Sequence, residues 1–202
     1  MAVTTESWGH EHGHGQLLKL LRGIRWGYFL IPIVVGGLVA YGTMNDFKGW
    51  SDHKILKGYL EIIHPAFLVC LFVAAFQGYR FTGNSSFTWL RWLSVALLGR
   101  EIHFDYSEQL VWVALAVLAW VAWNRREEMQ SLFLEGRPLT LFLVAVSCYA
   151  VSQGMDYLAE HGYSHWKLAW ESNTEEALET LGGFMLMLVP LSIAVVRPAH
   201  KR

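Results

Sequence analysis

The chain is poor in charge. Lys, Arg, Asp and Glu make up 16% of its 202 residues, against about 25% in ordinary soluble domains. No polar block is long enough to form a separate soluble domain. Cysteine is scarce too. Cys70 and Cys148 are the only two, and both sit inside apolar runs. That excludes a disulfide framework and any CxxC motif, and leaves two buried thiols expected to behave as small hydrophobes. No apolar stretch with a cleavage site precedes the first long apolar segment, so no signal peptide is expected. A net charge of −1 gives no reason to expect a nucleic-acid partner.

What the chain does have is apolar length. Hydrophobic residues make up 53%, with 10 Trp, 11 Phe and 8 Tyr. Several runs approach the ~20 residues that cross a ~30 Å hydrocarbon core. The expected fold is all-α: a polytopic membrane bundle of about six transmembrane helices in a single domain, 16–202, behind a mobile His-bearing tail, 1–15. "QLLKLLRGIRW" (16–26) sets leucines on one helical face with Lys19, Arg22 and Arg25 among them, the pattern of an interfacial amphipathic helix. The spans follow at 27–44, 55–79, 87–104, about 109–123, 138 to about 158, and about 174–196. "RFTGNSS" (80–86) carries turn chemistry between the second and third.

Six spans put both termini on one side of the membrane. If that side is cytoplasmic, it receives Lys19, Arg22, Arg25, Arg80, Arg91, Arg125, Arg126, Arg137, Arg197, Lys201 and Arg202, which is 11 of the 16 basic residues. That asymmetry follows the positive-inside rule, and it locates the chain in the inner (plasma) membrane with cytoplasmic termini.

This topology gathers the costly residues at the outer end. By position, 12 of 17 acids and 5 of 9 histidines fall there. Ionisable groups in membrane segments are functional-site candidates, each with a partner to be named. Glu61 and His64 are three apart on one face, the Glu-x-x-His spacing of carboxylate-bridged metal sites in bundles. Arg100, Glu101, His103 and Asp105 crowd the end of the third span, and helical geometry turns His103 away from Glu101. Asp156 and Glu160 follow Ser152 and Gln153 on the fifth, with His161 just beyond. Glu176 and Glu179 share a face of the sixth with Gly183, where another helix can approach closely. Plainer roles compete. Ser172-x-x-Glu175 is a capping box, Arg100 among acids is a structural ion pair, and a core histidine beside Pro65 bonds a carbonyl. Glu61, Asp156 and Glu179 have no such simple account.

Carboxylates with imidazoles suit Zn, Fe or Mn. A bound metal with an open position makes a hydrolytic nucleophile from water. The expected metal ligands are Glu61, His64, His103, Asp156, Glu176, Glu179 and His161, with Glu101 as catalytic carboxylate and Arg100 for a phosphate or carboxylate group. The substrate is then lipid-like or otherwise embedded in the bilayer, reaching a periplasm-facing cup. Two other functions fit the same residues. One is an accessory subunit of a larger membrane complex, its polar network structural. The other is part of a proton or ion pathway, which the lack of charge in the inner halves of the spans disfavours. The "GHEHGHG" tract (9–15), with His10, His12 and His14, is a further metal-binding composition at a mobile terminus.

Overall fold

The computed structural model describes residues 21–45, 53–101, 106–129, 132, 136–160 and 169–196. The expected tail, the start of the amphipathic segment, His103 and His161 lie outside these residues. A 3-10 turn, Trp26–Phe29, leads into α1 (Leu30–Met44). There follow α2 (His53–Thr82), α3 (Ser85–Glu101), α4 (Ser107–Asn124), α5 (Gly136–Glu160) and α6 (Ala169–Val196). No strand occurs among the described residues. Helices are the expected solution for apolar segments of this kind, because every backbone N–H and C=O then finds its partner inside the segment.

Four stretches are long and apolar enough to cross a membrane: Trp26–Met44, Leu56–Thr82, Gly136–Leu158 and Ser172–Ile193. They belong to α1, α2, α5 and α6. Of the other two helices, α3 has 17 residues and α4 has a shorter apolar part, Gln109–Asn124.

The centre of the bundle is α6. Its apolar stretch is 67% buried, against 17% for that of α1 and 22% for that of α2. It packs against α1, α2 and α5, while α3 lies on α2 and α4 lies on α3. Small residues permit this. A Cβ on Gly36 of α1 would stand 3.6 Å from both Leu178 and Thr174, so α1 meets α6 backbone-close at that point. At the far end of α5, Gly136 rests directly on the backbone of Gly23, and the Arg25 N–H donates to Thr140 Oγ1 at 3.1 Å.

The turn expected at 80–86 forms. Gly83 supplies a φ of +66°, a conformation open to glycine at little cost. Asn84 Oδ1 then accepts the Ser86 N–H at 2.9 Å and caps α3. Phe87 folds back over Gly78, where a Cβ would overlap its ring. Between α3 and α4 the chain passes Tyr106 at φ +70°. Trp89 Nε1–H donates to the Leu118 carbonyl at 2.8 Å, which pins α3 to α4. One expectation about the core is corrected. Cys148 is fully buried, but Cys70 is exposed. Its helix is apolar on all sides, so hydropathy alone did not say which face turns outward.

Candidate functional site

Four helices bring their polar residues to one point. Pro65 follows His64 inside α2. Proline has no N–H, so the carbonyl one turn earlier, that of Glu61, loses its helical donor there. His64 itself is 2% exposed. Its Nδ1 lies 3.2 Å from Glu101 Oε1 at the end of α3, and its Nε2 lies 2.8 Å from the Tyr149 hydroxyl on α5. A carboxylate only accepts, so Nδ1–H donates to Glu101, and Nε2 shares a hydrogen bond with the Tyr149 hydroxyl. The result is a Tyr–His–Glu chain across α5, α2 and α3.

Glu179 of α6, 5% exposed, anchors the other half. Arg100 Nη1 donates to its Oε1 at 2.7 Å, Ser152 Oγ at 2.8 Å and Gln153 Nε2 at 3.3 Å. A buried carboxylate needs such compensation, and one cation with two neutral donors supplies it. The adjacent pair Arg100 and Glu101 thus spreads α3 over two partners, one on α6 and one on α2.

Two glycines of α6 make the crossing close enough. A Cβ on Gly183 would stand 2.9 Å from His64 Cδ2, and one on Gly182 would stand 2.9 Å from Tyr149 Cε2. Each ring therefore brings an edge close against the bare backbone of α6. The network sits well inside the apolar stretches. Glu179 is seven residues past Ser172 and His64 eight past Leu56, which is about 10–12 Å at 1.5 Å per residue.

His64, Glu101 and Glu179 each offer a ligand-type atom, and these atoms all lie within 4.8 Å of one another. Among the described residues, the other expected ligands, Glu61, Glu176 and Asp156, are placed apart from them. Glu61 Oε1 faces Lys57 Nζ at 3.7 Å with its side chain half exposed, and Glu176 Oε1 faces the same ammonium at 3.2 Å. Ser172 joins at 3.5 Å from Nζ. These form a rim around Lys57. Asp156 lies elsewhere again, on the wall of a cleft of about 400 Å³ between α3, α4 and α5. Arg100, Tyr149 and Gln153 share that wall with apolar Leu97 and Trp112. Each of those three polar groups is one hydrogen bond away from His64 or Glu179.

Sequence reasoning missed Tyr149, Lys57 and Gly182. Tyr149 had a signal: it lies three and four residues before Ser152 and Gln153, on their face of α5. Lys57 is one of the five basic residues left to the outer side by the charge asymmetry, which assigns it no partner. Gly182 was overlooked beside Gly183, although paired glycines in an apolar helix mark close approach.

No family model matches the chain, and neither a curated protein nor a solved structure does. The fold and the site define a class all the same: an all-helical chain with four helices fit to cross a membrane, holding a buried imidazole–carboxylate–guanidinium network where α2, α3, α5 and α6 meet.

Proposed function

We propose that the chain is a six-crossing bundle of the inner (plasma) membrane with both termini cytoplasmic. We further propose that it binds a divalent ion (Zn, Fe or Mn) through His64, Glu101 and Glu179 and hydrolyses a lipid or other membrane-embedded substrate. One observation carries the metal reading: the three ligand-type atoms lie within 4.8 Å of one another. Three donors on one ion with bonds of about 2.0–2.2 Å stand about 3.3–3.8 Å apart, so the set has to close by up to about 1.5 Å. The histidine is already oriented for it. With a metal on Nδ1 the ring proton would sit on Nε2 and donate to the Tyr149 oxygen 2.8 Å away, the outer-shell bond that metal-bound imidazoles need. The ion would supply an activated water. Arg100 on the cleft wall would receive a phosphate or carbonyl oxygen, and Asp156 is the carboxylate left for proton transfer.

The six crossings take in α3 and α4 as well. Their 17 and 18 residues span about 25–27 Å, slightly under a ~30 Å core, a mismatch that local thinning absorbs. The basic residues favour this orientation, since 11 of 16 then lie on the side of the termini.

The test is metal content after washing with chelator. Near-stoichiometric rebinding of Zn, Fe or Mn, lost in Glu179→Gln, supports the site. If no metal rebinds, the site is refuted. A second reading has its own observation: both nitrogens of His64 and the Oε1 of Glu179 already have partners within the chain. That suits an accessory subunit in which the network only fixes helix packing. Recovery of a stable larger complex from native membranes, with no metal in it, decides for that reading.

A further inference from the structure

A second cavity lies away from the polar network. It is a groove of about 770 Å³ along the α3–α4 seam, walled by Trp89, Trp92 and Val95 on one side and Ala114, Val117 and Val121 on the other. Trp89 forms its floor, held there by the bond to the Leu118 carbonyl. The polar side chains of the lining gather towards one end. Tyr79, Ser85 and Arg125 stand there, while the opposite end closes on Ala96 and Ala114.

We infer that this groove holds a glycerophospholipid, with acyl chain along the α3–α4 seam and phosphate at Arg125. Three observations carry the inference, which rests on the reading that α3 and α4 cross the membrane. The first is length. Ser85 to Ala96 and Ala114 to Arg125 are eleven residue steps each, about 16 Å, which is half of a ~30 Å hydrocarbon core. The groove is one leaflet deep. The second is width. A volume of 770 Å³ over that length leaves a mean cross-section of about 48 Å², against about 80–110 Å² for a helix 10–12 Å across. The groove is narrower than a whole helix from a second copy, most of which would stand outside it, whereas extended hydrocarbon chains fit along it.

The third is charge. Arg125 has a 63% exposed side chain and, among the described residues, one long ion pair, 3.6 Å, to Glu128. Glu128 is held in turn by the Ser85 hydroxyl at 2.9 Å. The guanidinium has five donors in a planar fork that matches phosphate. Arg126, over the Trp123 ring at 5.7 Å, and Arg80, over Phe76 at 5.9 Å, lie towards the same end of the bundle. Glu127 and Glu128 temper that charge. They suit a headgroup carrying an ammonium next to its phosphate, and the phosphate remains the common requirement.

The test uses full-length protein in nanodiscs of phosphatidylglycerol and diacylglycerol with identical acyl chains, followed by mild extraction and native mass spectrometry. We expect about one retained phospholipid per chain, in preference to diacylglycerol. Val117→Trp fills the groove and abolishes retention. Arg125→Gln lies on the exposed rim and spares the fold. It should lower the preference for phospholipid about fivefold, the factor that ~1 kcal/mol for one basic side chain at a charged lipid surface represents. Equal retention of both lipids, or retention unchanged in both variants, refutes the inference. So does the loss of a dimer, in place of lipid, in Val117→Trp. Thiol labelling of Tyr106→Cys and Arg126→Cys separates this result from the topology. Labelling from opposite sides with no lipid retained refutes the lipid site alone. Labelling from one side refutes the crossing of α4.

Discussion

Replacing Gly183 by alanine tests the closest approach in the site. The new methyl would stand 2.9 Å from His64 Cδ2, 3.4 Å from Nε2 and 3.6 Å from Phe67 Cβ. Carbon atoms prefer about 3.5–4.0 Å, so the ring has to retreat by at least half an ångström. It is poorly placed to do so, because Glu101 holds one side at 3.2 Å and Tyr149 the other at 2.8 Å. Overpacking of this kind costs about 1–3 kcal/mol. Alanine also favours a helix over glycine by about 0.8–1.0 kcal/mol, which masks part of that cost. Gly37→Ala on α1 removes the ambiguity, since nothing lies within 4 Å of its Cβ position. The difference between the two variants isolates the overpacking. For a chain of this size, with roughly 2–4 °C per kcal/mol, thermal unfolding in detergent should place Gly183→Ala several degrees below Gly37→Ala. Zinc affinity should fall with it. If the two variants melt together and bind zinc alike, His64 does not rest on the α6 backbone, and the derivation of the site fails at its first step.

Other outcomes follow from the same geometry. Tyr149→Phe removes one hydrogen bond, for about 0.5–1.5 kcal/mol of stability, and should weaken metal binding about 10–100-fold, as losing an outer-shell partner does; calorimetric titration with zinc reads this. Glu179→Gln removes the nearest carboxylate from the partly buried Arg100 guanidinium and should cost about 3 kcal/mol. Arg100→Gln in the same chain should restore part of that stability without restoring metal, a double-mutant cycle that separates folding from binding. Glu61→Gln, on the exposed rim at 3.7 Å from Lys57, should cost under about 1 kcal/mol and leave metal content unchanged. If it instead abolishes binding, the ligand set has been drawn at the wrong depth.

Much of this was legible in the sequence, and its failures have physical causes. Hydropathy located all four long helices, because a segment apolar on every side reads the same wherever it packs. For that reason it could not rank them. Nothing in the composition of α6 says that it is the central helix while α1 stays at the edge, with 67% and 17% of their apolar stretches buried. The site was half legible. Glu179 stood out as an acid too deep to be a helix cap, and it is the acid on which Arg100 converges. Glu61 and His64 looked like a pair, since three residues separate them. The structure sends them to different neighbours, Lys57 and Tyr149. Sequence spacing sets direction from the helix axis, but what waits in that direction belongs to the other helices. The two rings on Gly182 and Gly183 were illegible for the same reason: a glycine announces room, not its occupant.

The central position of α6 also has a consequence for synthesis. It follows in the chain the helices that pack around it. Thr43 of α1 and Asn173 of α6, whose side chains meet at 3.5 Å, are 130 residues apart. At about 5–20 residues per second, a ribosome needs roughly 7–26 s to make the second after the first. Until α6 is made, α1 lacks its main partner, and His64 and then Tyr149, as each is added, have no backbone to rest on. The buried network can close only after α6, the helix that carries Glu179, Gly182 and Gly183, has joined partners made before it.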